Sequence, residues 1–409
     1  MSYIKNLTCK QCFNNYPIEP INVCELCFGP LEVTYDYEKI SKSVTRNLIS
    51  SGPLNIWRYH PFLPVSIDNI IDIGTGFTPL IHAKNLGELL GLKNLYIKND
   101  SVNPSYSFKD RPVAITTAKA LEFDFKVLAC VSTGNLMGSV AAHAAKAKMK
   151  SYVFFPAGLE KGKIIGASIY GPTLISVDGN YDDVNRLCSE LADNLKWAFV
   201  NVNMRPYYAE GSKTLGFEVA EQLGWKAPDH CVVPAASGEL HTKIWKGLVE
   251  MKDVGLIEKV KTSMHLAQPE GCSPIVKAFI NEESQVTPVK PDTIAKSLAI
   301  GNPASGPFAL QTLKETSGHA VAAPEKEISE CIQLLAETEG IFTETAGGVV
   351  ISSLRKLVKN KKINPDDVTV AFITGNGLKT QEVVEDSVEY NNIKPTYKSF
   401  EEIIKFDTI

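Results

Sequence analysis

Residues 127–155, VLACVSTGNLMGSVAAHAAKAKMKSYVFF, decide the fold class. An apolar, partly β-branched run at 127–131 is followed by four small polar residues at 132–135, a helix-length segment of small residues, and a second apolar run at 152–155. This order predicts a strand, a helix and a second strand. Two strands that are joined through a helix normally lie parallel in one sheet, so the stretch predicts an α/β fold.

The same alternation extends outward along the chain. Short strand-like runs are predicted at 95–97, 127–131, 152–155, 174–177, 199–202, 231–233 and 369–373. Helix-length amphipathic segments such as 181–194 and 327–338 separate them. The pattern predicts parallel sheets covered by helices on both faces, with ligand sites at the carboxyl ends of the strands.

Composition and charge exclude several classes of protein. Of 409 residues, 44% are hydrophobic and 22% are charged, as in folded globular chains. Lys and Arg number 42 against 46 Asp and Glu, and a net charge of −4 gives no basic field for nucleic acid. No apolar run approaches the roughly 18 residues of a membrane span, and the first residues do not resemble a leader, so we expect a cytoplasmic protein that binds no membrane.

Four of the nine cysteines form two C-x2-C pairs near the amino terminus. Cys9 and Cys12 make the first pair, and Cys24 and Cys27 make the second. Four thiolates at this spacing are typical of a closed structural zinc site, so residues 1–35 are predicted to be a zinc-ribbon-like segment. The alternative is four reduced thiols without metal. The other five cysteines are scattered singly and are predicted to be core residues.

The first of three candidate strand-to-helix loops spans residues 103–111 and contains Ser107 and Lys109. We expect Ser107 to cap the following helix, which would place Lys109 in the first turn. A cation there opposes the helix dipole, which lowers the lysine pKa and suits Schiff-base chemistry. The alternative is an ordinary surface cluster formed by Lys109, Asp110 and Arg111.

Two further loops follow buried strands and open helices. Residues 132–135, Ser-Thr-Gly-Asn, bring hydroxyls, an amide and backbone N–H groups to a helix N-terminus, which suits an anion or a cofactor ring. Residues 234–240 bring small side chains that allow backbone amides to approach a phosphate. Glu239 beside an anion is electrostatically unexpected, so the backbone would do the binding.

Seven motifs in this order resemble the pyridoxal-phosphate enzymes of the tryptophan-synthase-β type, or fold type II, and within them the threonine synthase group. The resemblance covers roughly residues 70–385. The motifs are Thr78-Pro79-Leu80, Ser107-Phe108-Lys109-Asp110-Arg111, Ser132-Thr133-Gly134-Asn135, Glu210-Gly211-Ser212-Lys213-Thr214, Ile300-Gly301-Asn302-Pro303, Glu339-Gly340-Ile341-Phe342 and Thr374-Gly375-Asn376-Gly377-Leu378-Lys379.

The resemblance implies a two-lobed catalytic unit. Its large cofactor-binding lobe would comprise residues 60–105 and 200–385, and its small lobe residues 106–199. Residues 386–409 would form a carboxy-terminal tail that packs on the surface or contacts another subunit, and the assembly we expect is a homodimer.

The resemblance also implies roles for individual residues with pyridoxal 5′-phosphate. Lys109 would be the Schiff-base lysine and the acid and base, Asn135 would hydrogen-bond the phenolic oxygen of the cofactor, and Thr374 would face its pyridine nitrogen. The cofactor phosphate would bind one loop, formed by Ala236, Ser237, Gly238, Glu239 and Leu240.

The implied reaction converts O-phospho-L-homoserine and water to L-threonine and phosphate. Ser107, Thr133 and Arg205 are the candidate substrate-binding residues, and Lys213 is a less favoured one. Three alternatives stay open: a cysteate synthase acting on phosphoserine, a threonine or serine dehydratase, and a zinc-ribbon interaction module on an inactive scaffold.

Overall fold

A computed structural model describes residues 3–385 and 390–401 of the chain. The strands in this part are β1 (Ile4–Cys9), β2 (Asn15–Tyr16), β3 (Leu31–Tyr35), β4 (Leu80–His82), β5 (Leu95–Asn99), β6 (Val127–Val131), β7 (Lys150–Pro156), β8 (Thr173–Val177), β9 (Ala198–Phe199), β10 (His230–Pro234), β11 (Ser263–Pro269), β12 (Ala320–Ala323) and β13 (Thr369–Ile373).

The α-helices of the same residues are α1 (Tyr37–Ser43), α2 (Arg46–Ser50), α3 (Lys84–Leu90), α4 (Asp110–Glu122), α5 (Asn135–Lys146), α6 (Lys161–Ser168), α7 (Tyr181–Asn194), α8 (Arg205–Ser212), α9 (Thr214–Gln222), α10 (Glu239–Asp253), α11 (Pro274–Ile280), α12 (Gly306–Glu315), α13 (Glu325–Glu339), α14 (Thr345–Lys359) and α15 (Tyr397–Glu401). None of them is long and apolar enough to cross a bilayer.

The larger sheet has six strands in the order β12-β11-β10-β13-β5-β4. All neighbours are parallel except β4, which runs antiparallel to β5 at the edge. Every residue of the central strands β10 and β13 is buried, because helices cover both faces. The predicted α/β class is therefore confirmed.

The smaller sheet has four parallel strands in the order β8-β7-β6-β9. The stretch 127–155 forms β6, α5 and most of β7, which is the predicted parallel unit. Helix α5 is buried over most of its length because its small side chains allow close packing. The run predicted at 199–202 yields only the two-residue strand β9, since the chain turns toward α8.

The amino-terminal residues form a small antiparallel sheet in the order β2-β1-β3. The inward side chains of β1 and β3, including Leu7 and Val33, join the same apolar core as α10 residues such as Ile244. This unit therefore packs on the catalytic body. Of the predicted tail 386–409, residues 390–401 are described, and α15 lies exposed at the surface.

Candidate active site

A cavity of about 340 Å³ opens where the carboxyl ends of strands from both sheets meet. Loops after β6, β10 and β13 and the N-termini of α5 and α10 form much of its wall. It brings together most of the predicted site residues, which are Lys109, Thr133, Asn135, Arg205, Ala236, Ser237, Gly238, Glu239, Leu240 and Thr374.

Lys109 lies immediately before α4, and its Nζ donates a hydrogen bond to the Tyr208 hydroxyl at 3.1 Å. Burial lowers the pKa of Lys109 to about 8, although the carboxylates of Glu344 and Glu239 act to raise it. The predicted direction of the pKa shift is right, but burial rather than the helix dipole causes it. A lysine with this pKa is partly neutral near pH 8 and can act as a nucleophile or a base.

Ser107 does not take the predicted capping position. Its side chain neither caps α4 nor lines the cavity, and the buried hydroxyl has no hydrogen-bond partner among residues 3–385 and 390–401. The backbone of Ser107 instead forms an antiparallel bridge to Gly375. The predicted helix cap is therefore wrong, whereas the predicted substrate contact of Ser107 stays a prediction.

Buried ionic contacts fix the backbone around Lys109. Arg111 is fully buried and donates to both oxygens of Asp100 at 2.7 Å and to Glu218 at 2.8 Å. The Asp110 carboxylate is also fully buried and accepts from the backbone N–H of Ser105 at 2.7 Å. These contacts exclude the alternative of a surface charge cluster, and they hold Lys109 in place from its carboxyl side.

Asn135, at the start of α5, is held between two charged groups. Its Nδ2 donates to both carboxylate oxygens of Glu344 at 2.8 Å, and its Oδ1 accepts from Lys379 Nζ at 3.1 Å. Burial lowers the pKa of Lys379 to about 8, against the raising effect of Glu344 and Asp110. The amide orientation is therefore set, with its N–H groups on the side of Glu344.

Sequence reasoning missed Glu344 and Lys379. Glu344 also lines the cavity and precedes α14, two residues beyond the quoted motif 339–342, whereas Lys379 is the last residue of the motif 374–379. One position therefore lies just beyond a recognised motif and the other lies inside one. That proximity was the available signal, but it does not show which side chains meet.

The loop 234–240 leads from β10 into α10 and presents backbone amides to the cavity. Gly238 has a φ of +87° and precedes the helix. A Cβ there would lie 3.1 Å from Ala309 Cβ and from the Ser305 carbonyl oxygen, so the close packing and the backbone conformation both favour glycine. Small residues at the N-terminus of a fifteen-residue helix fit a phosphate group.

Glu239 turns its carboxylate toward a cation instead of the expected phosphate position. Its Oε2 accepts from Ser305 Oγ at 2.6 Å and from Arg205 Nη2 at 3.2 Å. Although burial acts to raise it, the pKa of Glu239 is lowered to about 2 by Arg205, Lys243 and Lys10. The carboxylate therefore neutralises nearby cations, which removes the predicted electrostatic conflict.

Of the predicted substrate-binding residues, Arg205 and Thr133 line the cavity, whereas the less favoured candidate Lys213 does not. Lys109 and Arg205 are the lysine and arginine side chains that line it within the described residues. Thr133 follows β6 and also lines the wall, whereas Lys213 is buried between Glu210 and Glu250 and does not line the cavity. Lys213 therefore has a structural role.

The donor set of the cavity fits pyridoxal phosphate. The cavity wall contains four suitable groups: the amine of Lys109, the amide of Asn135, the hydroxyl of Thr374 and the helix N-terminus after Gly238. These groups match an aldehyde, a phenolic oxygen, a ring nitrogen and a phosphate, respectively.

A second group of side chains lies outside the cavity, in the amino-terminal unit. The Sγ atoms of Cys9, Cys12, Cys24 and Cys27 all lie within 4.8 Å of one another, and this spacing fits a tetrahedral zinc site. The remaining cysteines are free and buried, as predicted for core residues: Cys130, Cys188, Cys231, Cys272 and Cys331.

Comparisons with known proteins agree with this geometry. The family model for pyridoxal-phosphate dependent enzymes matches residues 71–375. The threonine synthase of Methanocaldococcus jannaschii is 38% identical over 375 residues, covering 91% of this chain and 92% of that protein. The threonine synthase of Methanosarcina acetivorans is 37% identical over 387 residues, 94% of each protein.

Solved structures share the fold at lower sequence identity. Diaminopropionate ammonia lyase from Escherichia coli superposes with a TM-score of 0.66 at 18% identity, covering 78% of this chain and 89% of that one. Threonine deaminase isoform 2 from Solanum lycopersicum gives 0.63 at 19% identity, covering 82% and 95%.

Proposed function

The chain belongs to the family of pyridoxal-phosphate dependent enzymes and is a lyase of that family, and we propose that it acts as a threonine synthase. The proposed reaction converts O-phospho-L-homoserine and water to L-threonine and phosphate. The observation that carries the proposal is the cavity in which Lys109, Asn135 and the loop 236–240 meet. Relatives named threonine synthase, aligned over more than nine-tenths of the chain, support the choice within the family.

The residues that would hold the cofactor are Lys109 at its aldehyde, Asn135 at its phenolic oxygen, the loop 236–240 at its phosphate and Thr374 at its ring nitrogen. When bound, pyridoxal phosphate acts as an electron sink that stabilises negative charge developing on the substrate carbons. Thr374 is a hydroxyl partner, so it does not enforce protonation of the ring nitrogen. Residues of the cavity wall must therefore help to stabilise that charge.

Lys109 is the acid and base in this proposal. Its Nζ takes the proton from the substrate α-carbon and then moves protons to and from the neighbouring carbons as phosphate leaves the γ-carbon and water adds at the β-carbon. Because its pKa is about 8, Nζ can accept and return a proton near neutral pH at small energetic cost. The hydroxyl of Tyr208, 3.1 Å away, keeps the amine oriented.

Arg205 and Thr133 are the proposed contacts of the substrate phosphate. Arg205 is a fixed charge with several N–H donors. Its side chain is 28% exposed, and its Nη2 donates to Glu239 and to Ser305. A doubly charged phosphate competes with the single carboxylate of Glu239 for this guanidinium.

Water must stay out of the cavity until the addition step. A closing movement of the proposed small lobe, residues 106–199, over the large lobe would exclude it.

Absorbance of the purified protein tests the cofactor assignment of Lys109. We expect a band near ~410–420 nm from lysine-bound cofactor, and the Lys109→Ala variant should lose both the band and turnover. Lys84→Ala, on an exposed helix start, is the matched control and should keep both. A colourless wild-type protein that gains no band with added cofactor favours the alternative of an interaction module on an inactive scaffold.

Phosphate release separates the substrate hypotheses. O-phospho-L-homoserine alone should release phosphate and yield L-threonine, whereas phosphoserine with sulfite, and threonine or serine alone, should give little product. Release only from phosphoserine would establish the cysteate synthase alternative, and ammonia release from threonine or serine would establish a dehydratase.

We also propose that the four amino-terminal cysteines bind a structural zinc ion. Metal analysis should find one zinc per chain in the wild type and none in a Cys9→Ser, Cys12→Ser variant. The Cys331→Ala variant, which changes a buried cysteine far from the cluster, should retain zinc. Full retention of zinc in the double variant would exclude this site.

The molecular mass of the protein in solution tests the proposed homodimer.

A further inference from the structure

The amino-terminal unit, residues 3–35, reaches the cavity that contains Lys109. Asn22, two residues before Cys24, lines this cavity. Its backbone carbonyl accepts a hydrogen bond from Leu31 N at 3.0 Å. Its side-chain amide makes no hydrogen bond within the part of the chain that the structure describes, so the amide is available to a ligand in the cavity.

A second point of the unit lies against the same site. Lys10, between Cys9 and Cys12, places its Nζ 3.9 Å from the centre of the Phe308 ring. The small recess around it is also lined by Arg205 and Glu239, the ion pair at the edge of the main cavity. The first cysteine turn therefore contacts the recess next to the proposed phosphate site.

Buried polar contacts attach the unit to the two helices that begin at the site. Glu32 pairs with Lys243 and Lys246 of α10, and the Tyr35 hydroxyl donates to Glu210 of α8 at 2.9 Å. Helix α8 begins with Arg205 and α10 with Glu239. The helix starts and the amino-terminal unit consequently form one continuous wall.

The tips of the two cysteine turns carry exposed apolar side chains. Phe13 and Phe28, the large side chains at the two turns, are 74% and 79% exposed. The second turn is closed by Cys24 N donating to the Gly29 carbonyl at 2.8 Å, next to the cysteine sulfurs. Metal–thiolate bonds between the turns would therefore add to the stability that the apolar contacts of the unit supply.

We infer that Asn22 is a substrate-binding residue, and that substrate binding and metal binding at the four cysteines therefore stabilise each other. The identity of the substrate rests on the function proposed above. A ligand that contacts Asn22 favours the ordered turn, and the metal favours the same turn. By thermodynamic reciprocity each must then raise the affinity of the protein for the other.

Steady-state kinetics of the full chain test the contact. Asn22→Ala should raise KM for O-phospho-L-homoserine about tenfold and leave kcat within about twofold, because a hydrogen bond to a charged substrate is lost. Cofactor absorbance and zinc content should stay at wild-type values. Asn14→Ala, an exposed position of the same unit outside the cavity lining, is the matched control and should have wild-type kinetics.

Transfer of zinc to a chromophoric chelator tests the coupling without measuring activity. Saturating L-threonine with inorganic phosphate, the proposed products, should slow zinc release at least about threefold in the wild type and in Asn14→Ala, but not in Asn22→Ala. Equal release rates with and without products in the wild type, a metal-free wild type, or an unchanged KM in Asn22→Ala would each overturn the inference.

Failure of the proposed function gives a different result. If the wild type releases no phosphate from O-phospho-L-homoserine but turns over one of the alternative substrates, that substrate and its products replace the first pair in both measurements. An unchanged KM and unchanged zinc release with the true substrate would then refute the role of Asn22 itself.

Discussion

Replacing Lys109 with methionine should stabilise the cofactor-free protein at neutral pH. Burial lowers the pKa of Lys109 from its ordinary value of 10.5 to about 8, so folding below pH 8 places an ammonium group in an unfavourable environment. At about 1.4 kcal/mol per pH unit this cost is roughly 3 kcal/mol. Because the Lys109 side chain opens onto the cavity and is partly exposed, we reduce this free-energy cost to about 2–3 kcal/mol.

The variant also loses the hydrogen bond to the Tyr208 hydroxyl, which costs about 1 kcal/mol. The net expectation at pH 7 is a free energy of unfolding that is about 1–2 kcal/mol higher for Lys109→Met than for the wild type. Between pH 8 and 10.5 the unfolded chain binds a proton at this lysine that the folded chain does not. Wild-type stability therefore rises with pH, and its deficit relative to the variant shrinks over this range.

Urea unfolding of both cofactor-free proteins, followed by circular dichroism at pH 7 and at pH 9, measures this difference. The exposed Lys84→Met variant is the control and should show no pH-dependent difference from the wild type. A Lys109→Met protein whose stability relative to the wild type is the same at both pH values would refute the reasoning, because burial of a charged amine would then not be the source of the effect.

Three further substitutions have defined outcomes. Lys379→Met removes the donor that fixes the Asn135 amide. We expect about tenfold weaker cofactor binding and a shifted absorbance maximum in a cofactor titration. The Lys379→Arg variant keeps a donor and should be closer to the wild type. Glu239→Gln removes the carboxylate that competes for Arg205, so inhibition by inorganic phosphate should strengthen about threefold to tenfold in steady-state assays; weaker inhibition would contradict this competition. Arg111→Met leaves the buried carboxylate of Asp100 without an ion-pair partner, whereas Glu218 keeps Lys98, and it should lower the free energy of unfolding in urea by about 3–5 kcal/mol. A loss below about 1 kcal/mol would show that the ion pairs do not support the loop.

Local sequence patterns were sufficient where structure depends on neighbouring residues. The helix predicted at 181–194 and the strands predicted at 127–131 and 369–373 have these bounds in the structure. Strand burial and helix periodicity repeat every few residues, so they can be recognised in a short window. The short strands β4 and β12 were not recognised, because runs of three and four residues are ambiguous without their neighbours. The longer strand β11 was not recognised because polar residues, among them His265 and Gln268, interrupt its apolar run.

The structure brings the three predicted loops to one cavity, but the surroundings of individual side chains in them did not follow from the sequence. The loops after β6, β10 and β13 meet at one cavity because carboxyl ends of parallel strands converge. Ser107, two residues from Lys109, is not among the residues that line the cavity, and its backbone pairs with Gly375. Spacing along the chain predicts which loop reaches the site, but not which of its side chains enters the cavity.

Short stretches of sequence are enough to predict the α/β class, the cofactor lysine candidate and the four-cysteine cluster, because each depends on residues close together in the chain. Tertiary structure alone decided the partners of Asn135: Glu344 lies 209 residues and Lys379 lies 244 residues away. It also brought Asn22 to the cavity wall. Contacts over such separations depend on how whole helices and sheets pack, and no local pattern of residues specifies that packing.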